Sequence, residues 1–345
     1  MKKACVILGA GASHDVHNQG WYVNDAKWKP PLAADLFNVA KNPAYARIMN
    51  DFPGAVVLSS DLGPIVSAGT VGMEQTLREY ADTDDTTILG HFKHIPAYLR
   101  DLLYQASTEY TSVPSCYIDL AIELLWRSPH ELLFLVLNYD NLLESALTLY
   151  DETLTFTSIG DFVRRERGLT VVKIHGSIDW FRSIGAGSDW FARVSQADVF
   201  AKPADDEIVV RKGISEVKLA HASLTRRDYY YPVLTAPLAG KVETDMVCPQ
   251  SHIDEARRFL ADCRKFLIIG TSGLDEDLLR LLGGAVPKPP ALVHLVTEDS
   301  QVSATVWDRF ARIRTFASIL EPPLAYSSGF RTYLTSPDFE RFCAA

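Results

Sequence analysis

No two of the five cysteines (Cys5, Cys116, Cys248, Cys263, Cys343) are separated by two residues, so the paired-thiolate spacing of a zinc ribbon is missing. Their odd number and wide scatter exclude a disulfide framework and predict free thiols in a reducing compartment. No apolar run approaches the roughly 20 residues a bilayer crossing needs, so no membrane association is expected. Positive charge is also in short supply. The net charge is −9 over 345 residues, which disfavours direct nucleic-acid binding through a broad positive field. The short clusters Arg164-Arg165-Glu166-Arg167 and Arg226-Arg227-Asp228 read as solvated faces. At the amino end, "MKKACVILGAGAS" resembles a signal peptide, but its apolar run is short and leads straight into Gly9-Ala10-Gly11. It reads as a first strand, and the expected setting is cytoplasmic.

What is present fits a folded globular protein: 47% apolar and 22% charged residues. Ala4–Leu8 reads as a buried strand before a glycine turn. A polar, irregular loop follows, and Pro31 then opens a helix-like stretch, "PLAADLFNVA". "GMEQTLREYA", "FKHIPAYLRDLLYQAS" and "PSCYIDLAIELLW" carry apolar residues at spacings of three and four, the helical period. "ELLFLVLNYD" (131–140) and "LTVVKIH" read as the next strands. After a stretch without a clean period, "YYYPVLTAP" resumes a strand near Tyr230. "DEARRFLADC", "KFLIIGTS", "DEDLLRLLG" and "ALVHLVTED" then alternate helix and strand. That alternation predicts an α/β fold, a Rossmann-like parallel sheet with helices on both faces. The expected organisation is one domain over 1–345 with a helical insertion at 31–130 and a smaller, zinc-free insertion at 181–229.

Chemistry gathers at the strand ends. "GAGAS" (Gly9 to Ser13) offers a tight turn and close backbone approach to a diphosphate at a helix start. It lacks the third glycine of the dehydrogenase fingerprint, since position 14 is His14, and "NDAKWKPP" cannot supply the acid-tipped second strand. A hydride-transfer domain is therefore disfavoured. "NYDNLLE" brings Asn138 and Asp140, and Asp140 alone could serve as a helix cap. "KIHGS" brings His175, which could be a satisfied core histidine or a base near neutral pKa. Gly176 behind it would let a ligand or another backbone come close. "GTSGLDEDLL" offers Gly270, Thr271 and Ser272 as a second ribose- or phosphate-sized turn, with Asp275 as a plain N-cap. In "TED", Glu298 could accept from ribose hydroxyls or be an exposed loop acid.

The ordered set "GAGAS", "NYDNLLE", "KIHGS" and "IIGTSGLDEDLL" resembles the sirtuin-like family. More narrowly it resembles the bacterial branch whose members are NAD-consuming effectors in antiphage defence. The resemblance implies a Rossmann-like core with NAD as substrate lying across the strand ends. Gly9, Ala10, Gly11 and Ser13 would hold the diphosphate. Asn138 and His175 would flank the nicotinamide ribose, with Asp140 near the nicotinamide pocket. Gly270, Ser272 and Glu298 would face the adenosine. It implies an NAD glycohydrolase that releases ADP-ribose and nicotinamide. It also implies a homo-oligomer, controlled through a partner such as a HerA-like ATPase or an Argonaute protein. Deacylating sirtuins carry two cysteine pairs after the His-Gly motif, whereas 177–230 has no cysteine here; no metal is expected. The competing readings are an NAD-dependent protein deacylase and a non-catalytic NAD or ADP-ribose sensor.

Overall fold

Alternation splits the first strand between two cores. In β1 (Lys2–Leu8), Ala4, Val6 and Leu8 enter one apolar cluster while Cys5 and Ile7 enter another. All five are fully buried. A strand buried on both faces belongs in the interior of a parallel sheet with helices above and below. Each fully buried branched aliphatic in it contributes roughly 1.5–3 kcal/mol of transfer free energy.

The computed structural model describes residues 2–16, 28–39, 42–68, 73–81, 83–110, 113–183, 203–212, 230–234, 247–319 and 321–345. Of the second insertion expected at 181–229, residues 184–202 and 213–229 lie outside the described residues. The further strands are β2 (His130–Val136), β3 (Val163–Arg164), β4 (Leu169–Lys173), β5 (Gly176–Ser183), β6 (Ile208–Val210), β7 (Tyr230–Leu234), β8 (Lys265–Ile269), β9 (Leu292–Val296) and β10 (Leu324–Tyr326). Among the described residues, seven strands form one sheet in the order β10-β9-β8-β1-β2-β4-β3. Every pair in it is parallel except β3 with β4. The α/β fold expected from the sequence is therefore the observed one.

Three sequence-based expectations change. The strand near Tyr230 does not join the parallel sheet. It pairs antiparallel with β5, which also pairs antiparallel with β6, in a separate small sheet. "ELLFLVLNYD" leaves the ladder after Val136, which frees Asn138 to Asp140 from sheet pairing. The helix expected from Pro31 is only a short 3-10 turn at Ala33–Asp35. The Leu36 carbonyl accepts instead from the Tyr98 hydroxyl at 2.6 Å, and Leu36 and Phe37 are buried against the helical layer.

A short helix, α1 (Ala10–His14), follows β1. The helical layer between β1 and β2 comprises α2 (Pro43–Met49), α3 (Pro53–Ala68), α4 (Met73–Ala81), α5 (Thr86–Phe92), α6 (His94–Tyr110) and α7 (Ser115–Ala121). Asn42 caps α2 and Asp85 caps α5 through their side-chain oxygens. Next come α8 (Leu142–Tyr150), α9 (Gln250–Leu260), α10 (Glu276–Ala285) and α11 (Ser300–Phe310). Helices α9, α10 and α11 close the Cys5/Ile7 face. Among the described residues, no helix is long and apolar enough to cross a membrane. All five cysteines are buried and none forms a disulfide.

The strand order fixes where a ligand can sit. From β1 the chain builds outward through β2 and β4 on one side and through β8, β9 and β10 on the other. β1 is thus the topological switch point, and the crevice opens beyond the carboxyl ends of β2, β1 and β8.

Candidate active site

At that crevice lies a cleft of about 370 Å³. Four strand ends line it: Gly9 to Gly11 and Ser13 after β1, Leu137 to Asp140 after β2, five residues of 270–275 after β8, and Thr297 and Glu298 after β9. Pro30 to Ala34, Leu36, Val66 and Leu103 form an apolar wall on the side of the helical layer. The cleft therefore pairs a polar floor with an apolar wall.

The first and third turns are joined backbone to backbone. Gly9 N–H donates to the Ile269 carbonyl and Gly11 N–H to the Gly270 carbonyl, both at 2.9 Å. A Cβ on Gly9 would lie 2.5 Å from the Gly270 oxygen, and one on Gly11 would lie 2.8 Å from the Gly270 Cα. Gly270 itself has φ +63°, and its Cβ would meet the Ala12 nitrogen at 2.2 Å. These three positions need glycine because two turns interlock. The same holds for Gly176. Its φ is +82° and a Cβ would fall 2.1 Å from the Val233 oxygen, so it makes room for the backbone of β7, one of the two approaches expected there.

Asn138 is buried, and its Nδ2 donates to the Gly9 carbonyl at 3.0 Å and to Ser13 Oγ at 2.9 Å. Both amide hydrogens are thereby used, and the carbonyl oxygen is the part of the amide left to meet a ligand. Asp140 accepts from the Leu142 amide at 3.1 Å, an Asx-type turn just ahead of α8, whose N-cap position is Asn141. Burial pushes its carboxyl above the ordinary range, while Lys173, the Ser13 hydroxyl and the Leu142 amide pull it down. Lys173 is fully buried and sits 2.9 Å from Glu144 Oε1. It also donates to the Asp140 carbonyl.

His175 is not among the residues lining the cleft. It is 3% exposed, with the Tyr139 ring 6.2 Å away, centroid to centroid. Its Nε2 pairs with Asp275 Oδ2. Asp275 does line the cleft, and its other oxygen accepts from the Leu278 amide at 2.7 Å, capping α10. The expected lone base is thus one half of a histidine–carboxylate pair, and the carboxylate is the half that faces the cleft. Ser272 and Glu298 are exposed residues of the cleft lining, and Ala10 lines it beside Gly9.

Sequence reasoning missed Tyr117, whose hydroxyl lies 2.9 Å from Ser13 Oγ, and the Lys173–Glu144 pair. A lysine inside the apolar run "TVVK" was the available signal for the pair, because a buried charge demands a partner. Asp275 was weighed only as a cap. Among the described residues, no group of three or more His, Cys, Asp or Glu is placed to hold a metal ion. His221, the one histidine between Ser177 and Tyr230 and so the one His or Cys there that could ligate a metal, lies outside the described residues.

The model for a SIR2-like domain matches residues 133–297, a span that includes Asn138, Asp140, His175, Gly270, Ser272 and Asp275. No curated protein matches the sequence. Among solved structures, the chain is similar to a mutant Sir2 homologue in complex with 2'-O-acetyl ADP ribose (14% identity, 93% of this chain and 95% of that chain, TM-score 0.36). It is also similar to a Sir2 enzyme solved for its mechanism and regulation (16% identity, 91% and 94%, TM-score 0.37). A third is a Sir2 homologue in complex with NAD (14% identity, 92% and 90%, TM-score 0.33).

Proposed function

We propose that the protein is an NAD glycohydrolase: water adds to the nicotinamide ribose, the C–N bond breaks, and ADP-ribose and nicotinamide are released. The observation that carries this reading is the convergence of Asn138, Asp140 and the Asp275–His175 pair on one cleft at the switch point of the sheet. The SIR2-like match over 133–297 and the ordered strand-end motifs support it.

The chemistry suits these groups. Nicotinamide leaves as a neutral molecule with the bonding electrons, and the ribose passes through an oxocarbenium-like state. Two carboxylates lining the cleft, Asp140 and Asp275, stabilise that developing positive charge. The Asn138 carbonyl oxygen holds the attacking water or a ribose hydroxyl in line. The proton released by water passes to the Asp275–His175 pair, in which His175 orients the carboxylate that faces the cleft. Gly9 to Ser13 then flank the diphosphate, and Gly270, Ser272 and Glu298 the adenosine side. In antiphage defence such an activity would deplete the host cell's NAD.

The test is incubation of the full chain with NAD, with and without EDTA and with and without an acyl-lysine peptide, following nicotinamide. Release without peptide and in EDTA is expected. Release that requires the peptide would replace hydrolysis by deacylation, and NAD binding without release would leave a sensor.

A further inference from the structure

Strand β5 breaks its own ladder beside the cleft. Gly176 pairs with Leu234 and Phe181 with Pro232, so the register against β7 shifts between them. On the other edge, pairing with β6 begins only at Trp180. Among the described residues, Ile178 therefore has no ladder partner, although it is fully buried. Buried backbone groups need partners, and a break of this kind re-aims them. Ile178 N–H donates to the Tyr139 carbonyl at 2.9 Å, and the Ile178 carbonyl accepts from Arg100 Nε at 2.9 Å. The next residue, Asp179, accepts from Asn141 Nδ2 through its Oδ2, again at 2.9 Å.

These bonds hold the turn that carries Asn138 and Asp140. Tyr139 lies between those two residues and lines the cleft with them, and Asn141 follows directly. Two successive residues of β5 thus grip the turn at two points, while Lys173 grips it at a third, the Asp140 carbonyl. His175, the partner of Asp275, immediately precedes β5. The start of this one strand therefore sets both halves of the proposed chemistry. Arg100 anchors it from α6, in the helical layer. Arg100 is 0% exposed, and its Nη1 lies 3.2 Å from Asp101 Oδ1. The guanidinium stands 4.6 Å from the centre of the Tyr104 ring and 5.2 Å from that of Phe181. A planar cation held by a carboxylate and two rings is fixed in orientation, so its Nε is a rigid donor to Ile178.

We infer that Arg100 and Asp179 are positioning residues of the proposed active site: acting through the irregular start of β5, they hold the 138–141 turn so that Asn138 and Asp140 keep their places on the cleft. A helix of the insertion thereby supports the polar floor from behind without touching the ligand. Only the consequence for turnover rests on the NAD-cleavage reading; the contacts themselves do not.

The first measurement needs no nucleotide. Arg100→Lys keeps the charge but gives up the planar fork whose Nε reaches Ile178. By NMR on the full chain, the Ile178 amide should exchange with solvent about tenfold faster or more, while the amides of β1 keep their wild-type rates, the mark of a local opening. The second measurement is a swap. Asn141→Asp sets two carboxylates face to face; adding Asp179→Asn restores one hydrogen bond with its direction reversed. Nicotinamide release should show kcat about tenfold lower in Arg100→Lys and in Asn141→Asp with KM little changed, the signature of lost positioning. Asp179→Asn added to Asn141→Asp should recover most of that loss. If the wild type releases nicotinamide and a folded Arg100→Lys leaves either kcat or Ile178 exchange unmoved, the role of Arg100 is overturned. A swap no faster than Asn141→Asp alone overturns that of Asp179, and this arm decides if Arg100→Lys does not fold. Faster Ile178 exchange in a chain whose wild type releases no nicotinamide upholds the clamp and removes the hydrolase reading instead.

Discussion

Replacing Lys173 by methionine takes one charge out of a pair shielded from water. Lys173 is 0% and Glu144 2% exposed, and their charged atoms lie 2.9 Å apart. At an effective dielectric of about 20, unit charges at that distance attract by about 6 kcal/mol. Desolvation offsets much of this in the intact pair, but removing only the cation leaves a buried carboxylate uncompensated, at a cost of roughly 3–5 kcal/mol. Methionine fills similar volume, so the loss measures charge rather than a cavity. Glu144→Gln in the same background removes the orphaned charge and should recover most of the stability, giving strong positive coupling in a double-mutant cycle. Urea unfolding of the four proteins at pH 7 measures it. Lys173 also pulls the Asp140 carboxyl downward and holds its carbonyl. Nicotinamide release should therefore fall in both the single and the double variant, since neither restores the cation. A Lys173→Met protein that unfolds at the wild-type urea concentration, or a double variant no more stable than the single, refutes this account of the pair.

Three further outcomes are expected. His175→Ala and Asp275→Asn should each lower nicotinamide release by about 10²–10⁴-fold. The double variant should be no worse than the poorer single, because paired groups act as one unit; multiplicative losses would separate them. Gly11→Val should destabilise the fold by at least about 1–3 kcal/mol, since its Cβ meets Gly270 backbone at 2.8 and 3.0 Å; an unchanged melting temperature would contradict the interlocked turns. His94, His252 and His294 are each pushed down to about 4, chiefly by burial. Folded values below the unfolded value of about 6.5 mean that their stability contribution is present above 6.5 and lost as pH falls toward 4. The urea midpoint should decline over that window, and a flat midpoint from pH 7 to 4.5 would count against it.

The sheet was legible because its strands are short apolar runs ending in glycine or small polar residues, and β1, β8 and β9 fall where those runs lie. That residues of three turns line the cleft was legible for the same reason, because a crevice opens beyond strand ends at a switch point. Orientation was not legible. His175 lies two residues beyond the end of β4, and the direction of its ring depends on the immediate turn into β5, a strand whose mixed sequence "GSIDWFRS" shows no simple alternation. Every residue of β5 from Gly176 to Arg182 is buried, so polar and apolar positions there answer to partners rather than to a face. Tyr117 was hidden for a similar reason. In "PSCYIDLAIELLW" it reads as one more core position of a helix, and its hydroxyl matters only because α7 runs past Ser13, far away in sequence.

β1 precedes both of its partner strands in the sequence, yet it is among the last to be enclosed. One of its edges pairs with residues 130–136 and the other with 265–269. During synthesis its second edge stays open until β8 has left the ribosome, an exposed apolar strand for which premature pairing is the hazard. The same delay governs the cleft, because the Gly9–Gly11 turn gains its opposing wall only when Gly270 reaches it. A nascent chain therefore has no completed site, and one that stalls before β8 never acquires it. If the finished protein destroys NAD, that activity begins only once β8 has taken its place beside β1.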